Sequence, residues 1–218
     1  MWPRNWRCIH KSFPWSNVVL YLFSIKIAFV RRSIDKDKYQ TKIKSLLSLA
    51  DLVKNTLDTD NQIQSACNSF VDAKGSMFLG RGYSFPIALE GALKLKELAY
   101  VHAEGYPAGE MKHGPLALIE DGMPVVVIAP RDQHYKKTIS NMQEVIARGA
   151  KVLLVTNKSK DEVYSENIWE TIEVENTEDD LFPFLVTIPL QKLAYYSALK
   201  KGYDIDKPRN LAKSVTVE

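Results

Sequence analysis

The chain has 218 residues, 45% of them hydrophobic and 25% charged, with a formal charge of +3. This balance suits one globular domain, or one with an appendage, and the small charge without a basic block gives no support for nucleic-acid binding. Cys8 and Cys67 have no paired spacing, so neither a disulfide framework nor a zinc site is indicated, and a reducing, cytoplasmic setting is the default.

Residues 1–36 read as an atypical apolar and basic extension. The run "VVLYLFSIKIAFV", Val18 to Val30, follows Arg4, Arg7, His10 and Lys11 and precedes Arg31 and Arg32. A spanning helix needs about 20 apolar residues, and this run is shorter and contains Lys26. No small-residue cleavage site follows it, as a signal peptide would require. The segment is therefore expected to pack poorly and to contribute little to the fold.

Residues 37–74 read as a helical lead-in. Ile43, Leu46, Leu47, Ala50, Val53 and Leu57 fall at helical spacing and predict a one-sided helix. Asp58-Thr59-Asp60-Asn61 breaks it and offers caps for a second helix through Ile63, Ala66, Phe70 and Val71.

The remainder, 75–218, alternates strand and helix. "SMFLG" reads as a buried strand and "GRGYS" as the turn after it, with Pro86 in the first turn of the next helix, where no backbone donor is needed. A loop rich in glycine and proline follows, from about Gly105 to Pro115. "MPVVVIAP" and "KVLLVTN" are continuous β-branched or apolar runs of the kind buried on both faces of a parallel sheet, and "TIEVE" predicts a fourth strand. Between the first two of these, Tyr135, Ile139, Met142, Val145 and Ile146 mark a helix stopped by Gly149. Phe182 to Lys201 predicts a last helix, bent at Pro189 and closed by Gly202. The pattern implies an α/β fold with a mostly parallel sheet, preceded by helices. Ligands in such sheets bind at the carboxyl ends of the strands, so "GRGYS" and the loops after "VVVIA" and "LLVTN" should line one crevice.

On the helix from Pro86, Glu90, Lys94 and Glu97 stand at i, i+4 and i+7 and share a face. Ala88, Ala92, Leu95 and Ala99 form the opposite stripe, with Leu89, Leu93 and Tyr100 thickening it. Periodicity alone favours a solvated charged row; the alternative is a cleft wall, where a carboxylate could serve as a base. His102 carries little weight as a loop histidine. His113, in "KHGP", is held in a constrained turn beside Lys112 and could exchange a proton with a sugar oxygen. Gly80, Arg81 and Gly82 permit close backbone approach before a helix N-terminus, which attracts phosphate. Lys213 stands in a tail whose Leu211, Ala212, Val215 and Val217 are apolar enough to dock, and a desolvated lysine can carry protons or act as an amine nucleophile.

"FLGRG…PIALEGALKLKELAYVHAEGYPAGEMKHGPLALIEDGMPVV" and the closing "KPRNLAKSVTVE" closely resemble the second sugar-isomerase (SIS) domain of the glucosamine-6-phosphate synthase family, the glutamine–fructose-6-phosphate aminotransferases. The likeness is dense from about Met77 to Glu218, extends to about Tyr39, and is not visible before that. It implies a three-layer α/β/α SIS domain and a cytoplasmic, dimer-forming enzyme that takes fructose 6-phosphate to glucosamine 6-phosphate, with no cofactor or metal. By the resemblance, His113 helps open the sugar ring in the site of the partner subunit. Glu97 moves a proton between C1 and C2 of the imine, Lys94 and Glu90 assist as relay and positioning groups, and Lys213 contacts the open-chain sugar. Gly80, Arg81 and Gly82 are the candidate substrate-binding turn.

The departures from the family are as specific. Trp2 follows Met1 where the family has its cysteine nucleophile, so glutamine hydrolysis is not expected. The serine/threonine-rich phosphate loop of the first SIS domain, S-x-S-G-x-T, does not occur. Two readings follow: an isomerase half that pairs with itself or with a chain carrying the other SIS domain, or a non-catalytic SIS module that binds a phosphosugar or pairs with a full-length synthase. A transcriptional regulator of SIS type is disfavoured, because no helix-turn-helix precedes the domain and the charge is nearly balanced.

Overall fold

A computed structural model of the chain describes residues 12–159 and 168–209. Among them are strands β1 (Gly75–Gly80), β2 (His102–Pro107), β3 (Pro124–Ile128), β4 (Lys151–Asn157) and β5 (Glu170–Val174). The helices are α1 (Ser12–Val30), α2 (Lys36–Leu57), α3 (Asp60–Ala66), α4 (Asn68–Val71), α5 (Ser84–Ala99), α6 (Tyr135–Ile146) and α7 (Phe182–Lys200), with short 3₁₀ turns over Ala108–His113 and Pro115–Leu118. The strands pair in the order β2-β1-β3-β4-β5, all parallel.

The central strands are apolar throughout because both faces of the sheet are covered. Phe78, Val126, Ile128, Leu153 and Val155 point into one core, shared with α5, α7 and the α2–α4 lead-in. Met77, Leu79, Val125, Val127, Val152 and Leu154 point the other way, into a core closed by Met142 and Val145 of α6 and by Ala108 and Met111 of the first 3₁₀ turn. Alternate residues of each strand thus feed opposite layers. The expected three-layer α/β/α architecture is the observed one.

Four strands are legible in the sequence and a fifth is not. β2 falls where the sequence suggests a glycine- and proline-rich loop, yet it pairs with β1 from Gly75–His102 to Gly80–Pro107. An edge strand tolerates proline, because its unpaired side needs no donor. Gly105 is there for space: a Cβ would stand 2.9 Å from Cα of Leu89 on α5. Gly105→Ala should therefore push α5 off the sheet edge and cost about 1–3 kcal/mol, read as a lower midpoint in urea unfolding.

The lead-in differs in register from the expected stripe. Leu49 and Thr56 are the buried residues of α2, with Leu46, Leu52 and Val53 partly covered, whereas Leu47 is 74% exposed and Ala50 faces out. Adjacent leucines permit two stripes at helical spacing, and contact with α7 selects one. The second predicted helix divides at Cys67 into α3 and α4, with Ile63, Ala66 and Phe70 all buried. α7 runs unbroken through Pro189 and closes as expected: Gly202 N–H donates to the Leu199 carbonyl and Tyr203 N–H to that of Ala198.

The expectation that the first segment packs poorly is corrected for its described part. Ile25 of α1 is buried, Phe29 stacks on Tyr39 at 4.7 Å, and Tyr21 meets Phe184 edge-on at 6.2 Å. The Tyr21 hydroxyl donates to Asp180 Oδ2 at 3.2 Å, and its phenol is pushed up to about 12 by burial and by the Asp180 charge. Lys42 of α2 donates to the same Asp180 oxygen at 2.7 Å and to Glu178, which also accepts from Ser45. α1, α2 and the approach to α7 are thereby pinned together. Burial works to raise the Glu178 carboxyl, but the hydrogen bonds from Lys42 and Ser45 outweigh it and hold it low. A carboxyl lowered on folding stabilises the protein above its ordinary range and loses that contribution as pH falls through its folded value. Lys42→Met should lower the melting temperature near neutrality by the equivalent of about 1 kcal/mol and flatten its decline between about pH 5 and 3.

Candidate functional site

The turn into α5 leaves no room for a side chain at Gly80. A Cβ on Gly80 would stand 2.3 Å from the Ser84 carbonyl oxygen, so only glycine lets the chain leave β1 and enter the helix at once. Arg81 leans away from this turn. Its guanidinium lies against Gly109 and donates to Asn141 Oδ1 of α6 at 3.1 Å, tying β1 to the opposite layer. Its buried Nε has no hydrogen-bond partner among the described residues.

The loops at the carboxyl ends of the strands do come together. Gly82 lies beside the His134 ring, Arg131 N–H donates to Asn157 Oδ1 at 2.9 Å, and Arg131 Nε donates to the Asn157 carbonyl at 3.2 Å. Gly82 and Tyr83 also border a cavity of about 400 Å³ whose other walls are Tyr21 of α1 and Asp180, Phe184 and Thr187 at the start of α7.

The charged row on α5 is not a solvated face. Lys94 is only 3% exposed, and its ammonium lies 2.6 Å from Glu97 Oε2 and 3.7 Å from Glu90 Oε1. Ala88, Ala92, Leu95 and Ala99 are buried as expected. Leu89 and Leu93 are not part of that stripe: they are 45% and 41% exposed. The reason is that α5 is gripped on two sides, by the sheet and by α7. At Gly91 a Cβ would stand 2.8 Å from Leu190 of α7 and 2.9 Å from Phe78 of β1. With α5 held on those two sides, Lys94 is buried while Leu89, beside Gly105 of β2, and Leu93 stay partly exposed. The Glu97 side chain keeps 23% of its surface and so remains reachable from solvent.

His113 is not brought to this cluster within one chain. It ends the 3₁₀ turn that follows β2 at the carboxyl edge of the sheet, while α5 runs back towards the amino edge. From Ser84 to Glu97 the helix rises about 20 Å. The imidazole is largely exposed and lies 3.9 Å from the Glu110 carboxylate, and neighbouring Lys112 pairs with Glu144 at 2.9 Å. Lys213 lies outside the described residues.

Two features escape sequence reading. Lys192, the only charged residue of α7 before Lys200, is buried, pairs with Asp60 at 2.7 Å and donates to the Leu57 carbonyl at the end of α2. A lone lysine in an apolar helix is the signal that marks it. On β2, the Tyr106 hydroxyl donates to Glu104, which raises the phenol, and His102 lies 3.5 Å from the same carboxylate. Their alternation is visible only once β2 is known to be a strand. No group of three His, Cys, Asp or Glu suited to a metal occurs among the described residues.

Residues 69–201 match the SIS domain family, which is most of the α/β unit. The chain belongs to that family. Over 208 residues this SIS chain is 44% identical to the glutamine–fructose-6-phosphate aminotransferase (isomerizing) of Bartonella henselae, covering 95% of this chain and 34% of that protein. The corresponding protein of Bacteroides thetaiotaomicron is 47% identical over the same extent. The C-terminal domain of glucosamine-fructose-6-phosphate aminotransferase from Francisella tularensis superposes with a TM-score of 0.81 at 42% identity, over 85% of this chain and 52% of that one. The chain thus spans about a third of the length of the full relatives and is homologous to their C-terminal SIS region. A match over 95% of the chain reaches α1, so the likeness does not stop near Tyr39 as the sequence reading expected. No described helix is long and apolar enough to cross a membrane.

Proposed function

We propose that this chain supplies sugar-phosphate isomerase chemistry of the aminotransferase kind in the cytoplasm, taking fructose 6-phosphate and ammonia to glucosamine 6-phosphate. The observation that carries this reading is the enclosed Lys94 ammonium between Glu97 and Glu90 on α5. In the ketimine of the open-chain sugar, Glu97 removes a proton from C1 and returns it to C2, which leaves the aldehyde at C1 and the amine at C2. A carboxylate partly open to solvent and fixed by a buried ammonium is suited to that shuttle. Lys94 holds it in position and Glu90 completes the cation's surroundings. His113, exposed on its turn, opens the ring in the site of a second subunit, and Lys213 contacts the open chain. Gly80 and Gly82 offer backbone at the start of α5 to the sugar phosphate, while Arg81 braces the turn through Asn141.

A chain that spans 34% of the Bartonella relative also fits a second reading, a non-catalytic SIS module that binds the phosphosugar or pairs with a longer synthase. The two separate in one assay. Glucosamine 6-phosphate formed from fructose 6-phosphate and ammonium is measured for the 218-residue chain, alone and co-expressed with the unmatched half of the Francisella domain. Product in either condition supports the enzyme. Saturable binding of glucosamine 6-phosphate with no product in both conditions selects the module.

A further inference from the structure

Tyr100 ends α5 in a conformation that its side chain disfavours. Its φ of 54° and ψ of 33° are left-handed, the place at a helix end usually taken by glycine. A bulky residue persists there only where its surroundings over-determine it. Here they do. The Tyr100 ring meets the Tyr203 ring edge-on at 4.8 Å, and Tyr203 packs against the core beyond the end of α7. The Arg209 guanidinium lies 4.2 Å from the centroid of the Tyr100 ring, and the Arg209 backbone N–H donates to the Tyr100 hydroxyl at 2.6 Å. Between these two contacts the chain is turned by Asp204, whose Oδ1 accepts from the N–H groups of Asp206 at 2.9 Å and Lys207 at 3.2 Å. Glycine would relax the backbone at the helix end and make none of the ring contacts.

Arg209 is exposed, so its two bonds to Tyr100 add little to the core. What they fix is the path of the chain. Residue 209 is held against the residue that closes α5, and Glu97 stands three positions earlier, about 4.5 Å along the helix axis. Lys213 follows Arg209 by four residues, a reach of at most about 14 Å. Without the bonds to Tyr100 the last fixed point is Tyr203, ten residues before Lys213. We propose that Tyr100 is a positioning residue, which anchors the chain at Arg209 so that the tail carrying Lys213 departs within reach of Glu97. The effective concentration of a tethered group falls roughly as the −3/2 power of tether length, so the shorter tether raises that of Lys213 about fourfold. The contribution to turnover rests on the function proposed above; the anchor itself does not.

The anchor is tested first, by proteolysis of the native 218-residue chain. Trypsin draws the arginine side chain into its own acidic pocket, so it cuts after Arg209 only when the guanidinium has left Tyr100. Cleavage of a native protein at low protease tracks the population of that released form. Tyr100→Phe keeps the ring and removes the hydroxyl, and release of residues 210–218, followed by mass spectrometry, should quicken about 2–10-fold. Its urea midpoint should hold. Tyr100→Asn suits the left-handed backbone but has no ring, and should quicken release further. Unchanged cleavage in both variants overturns the anchor. So does faster cleavage of Tyr100→Phe matched by an equal loss of global stability, because the cut would then report unfolding.

The consequence for turnover is read in the ammonia-dependent assay. Tyr100→Asn should lower kcat about fourfold or more with the sugar-phosphate KM little changed, and should lower it no further in a chain already carrying Lys213→Ala. A loss that falls on KM, or one of equal size in both backgrounds, overturns the positioning role. A wild type that forms no product with or without the added half removes the reaction and the positioning role together, while the cleavage rates still decide the anchor.

Discussion

Glu97→Gln should lower ammonia-dependent formation of glucosamine 6-phosphate by about 10²–10⁴-fold, the usual contribution of a positioned general base. The substitution keeps the shape of the side chain and an oxygen that can still accept from the Lys94 ammonium 2.6 Å away, but it removes the carboxylate proposed to take a proton from carbon. The loss should therefore fall on kcat, with the sugar-phosphate KM changed far less, because in the proposed site other groups bind the phosphate. Folding should be nearly unaffected, since Glu97 is partly exposed and its replacement can still hydrogen-bond. The measurement is made under the condition in which the wild type turns over, with the unmatched half of the Francisella domain present where it is needed. A Glu97→Gln enzyme as fast as the wild type under that condition would remove Glu97 from the mechanism.

What the sequence made legible and what it did not divide along physical lines. β1, β3 and β4 are readable because a strand buried on both faces is apolar at every position, and "VVVIA" or "VLLVT" has no other economical fate. β2 is not, because the two residues that make it fit its place, Gly105 against Leu89 and Pro107 at an open edge, are the residues that elsewhere mark loops. The candidate site shows the same limit. Spacing alone puts Glu90, Lys94 and Glu97 on one face of α5, but spacing cannot say what stands opposite that face. Part of how α5 is held lies about a hundred residues later, in the Leu190 side chain that closes on Gly91, and a periodicity carries no trace of it. The family resemblance supplied the reading that periodicity withheld. For α1 the resemblance stopped short, and the packing of Tyr21, Ile25 and Phe29, with the extent of the match to the relatives, shows that helix to be part of the fold.

Lys94→Met should damage the protein more broadly than Glu97→Gln, in stability as well as turnover. The ammonium is almost fully buried, and it is the cation shared by Glu97 and Glu90. Removing one member of a buried ionic group leaves the others desolvated without compensation, which costs about 3–5 kcal/mol where burial is complete. Glu97 keeps some access to water, so a loss of about 2–3 kcal/mol is expected, read from the urea midpoint of the variant. A methionine of similar length refills the space, which separates the loss of charge from the opening of a cavity. The decisive comparison is a double-mutant cycle. If the ion pair is the cause, adding Glu97→Gln to Lys94→Met should restore most of the stability, because the unpaired carboxylate is then gone. Adding Glu90→Gln instead should restore less, since that carboxylate lies 3.7 Å from the ammonium against 2.6 Å for Glu97. Turnover should stay low in both double variants, since both lack the cation proposed to position Glu97 and one also lacks the proposed base. Equal stability of Lys94→Met and the wild type would show that the two carboxylates are held by something other than Lys94, and the positioning role would pass from that residue.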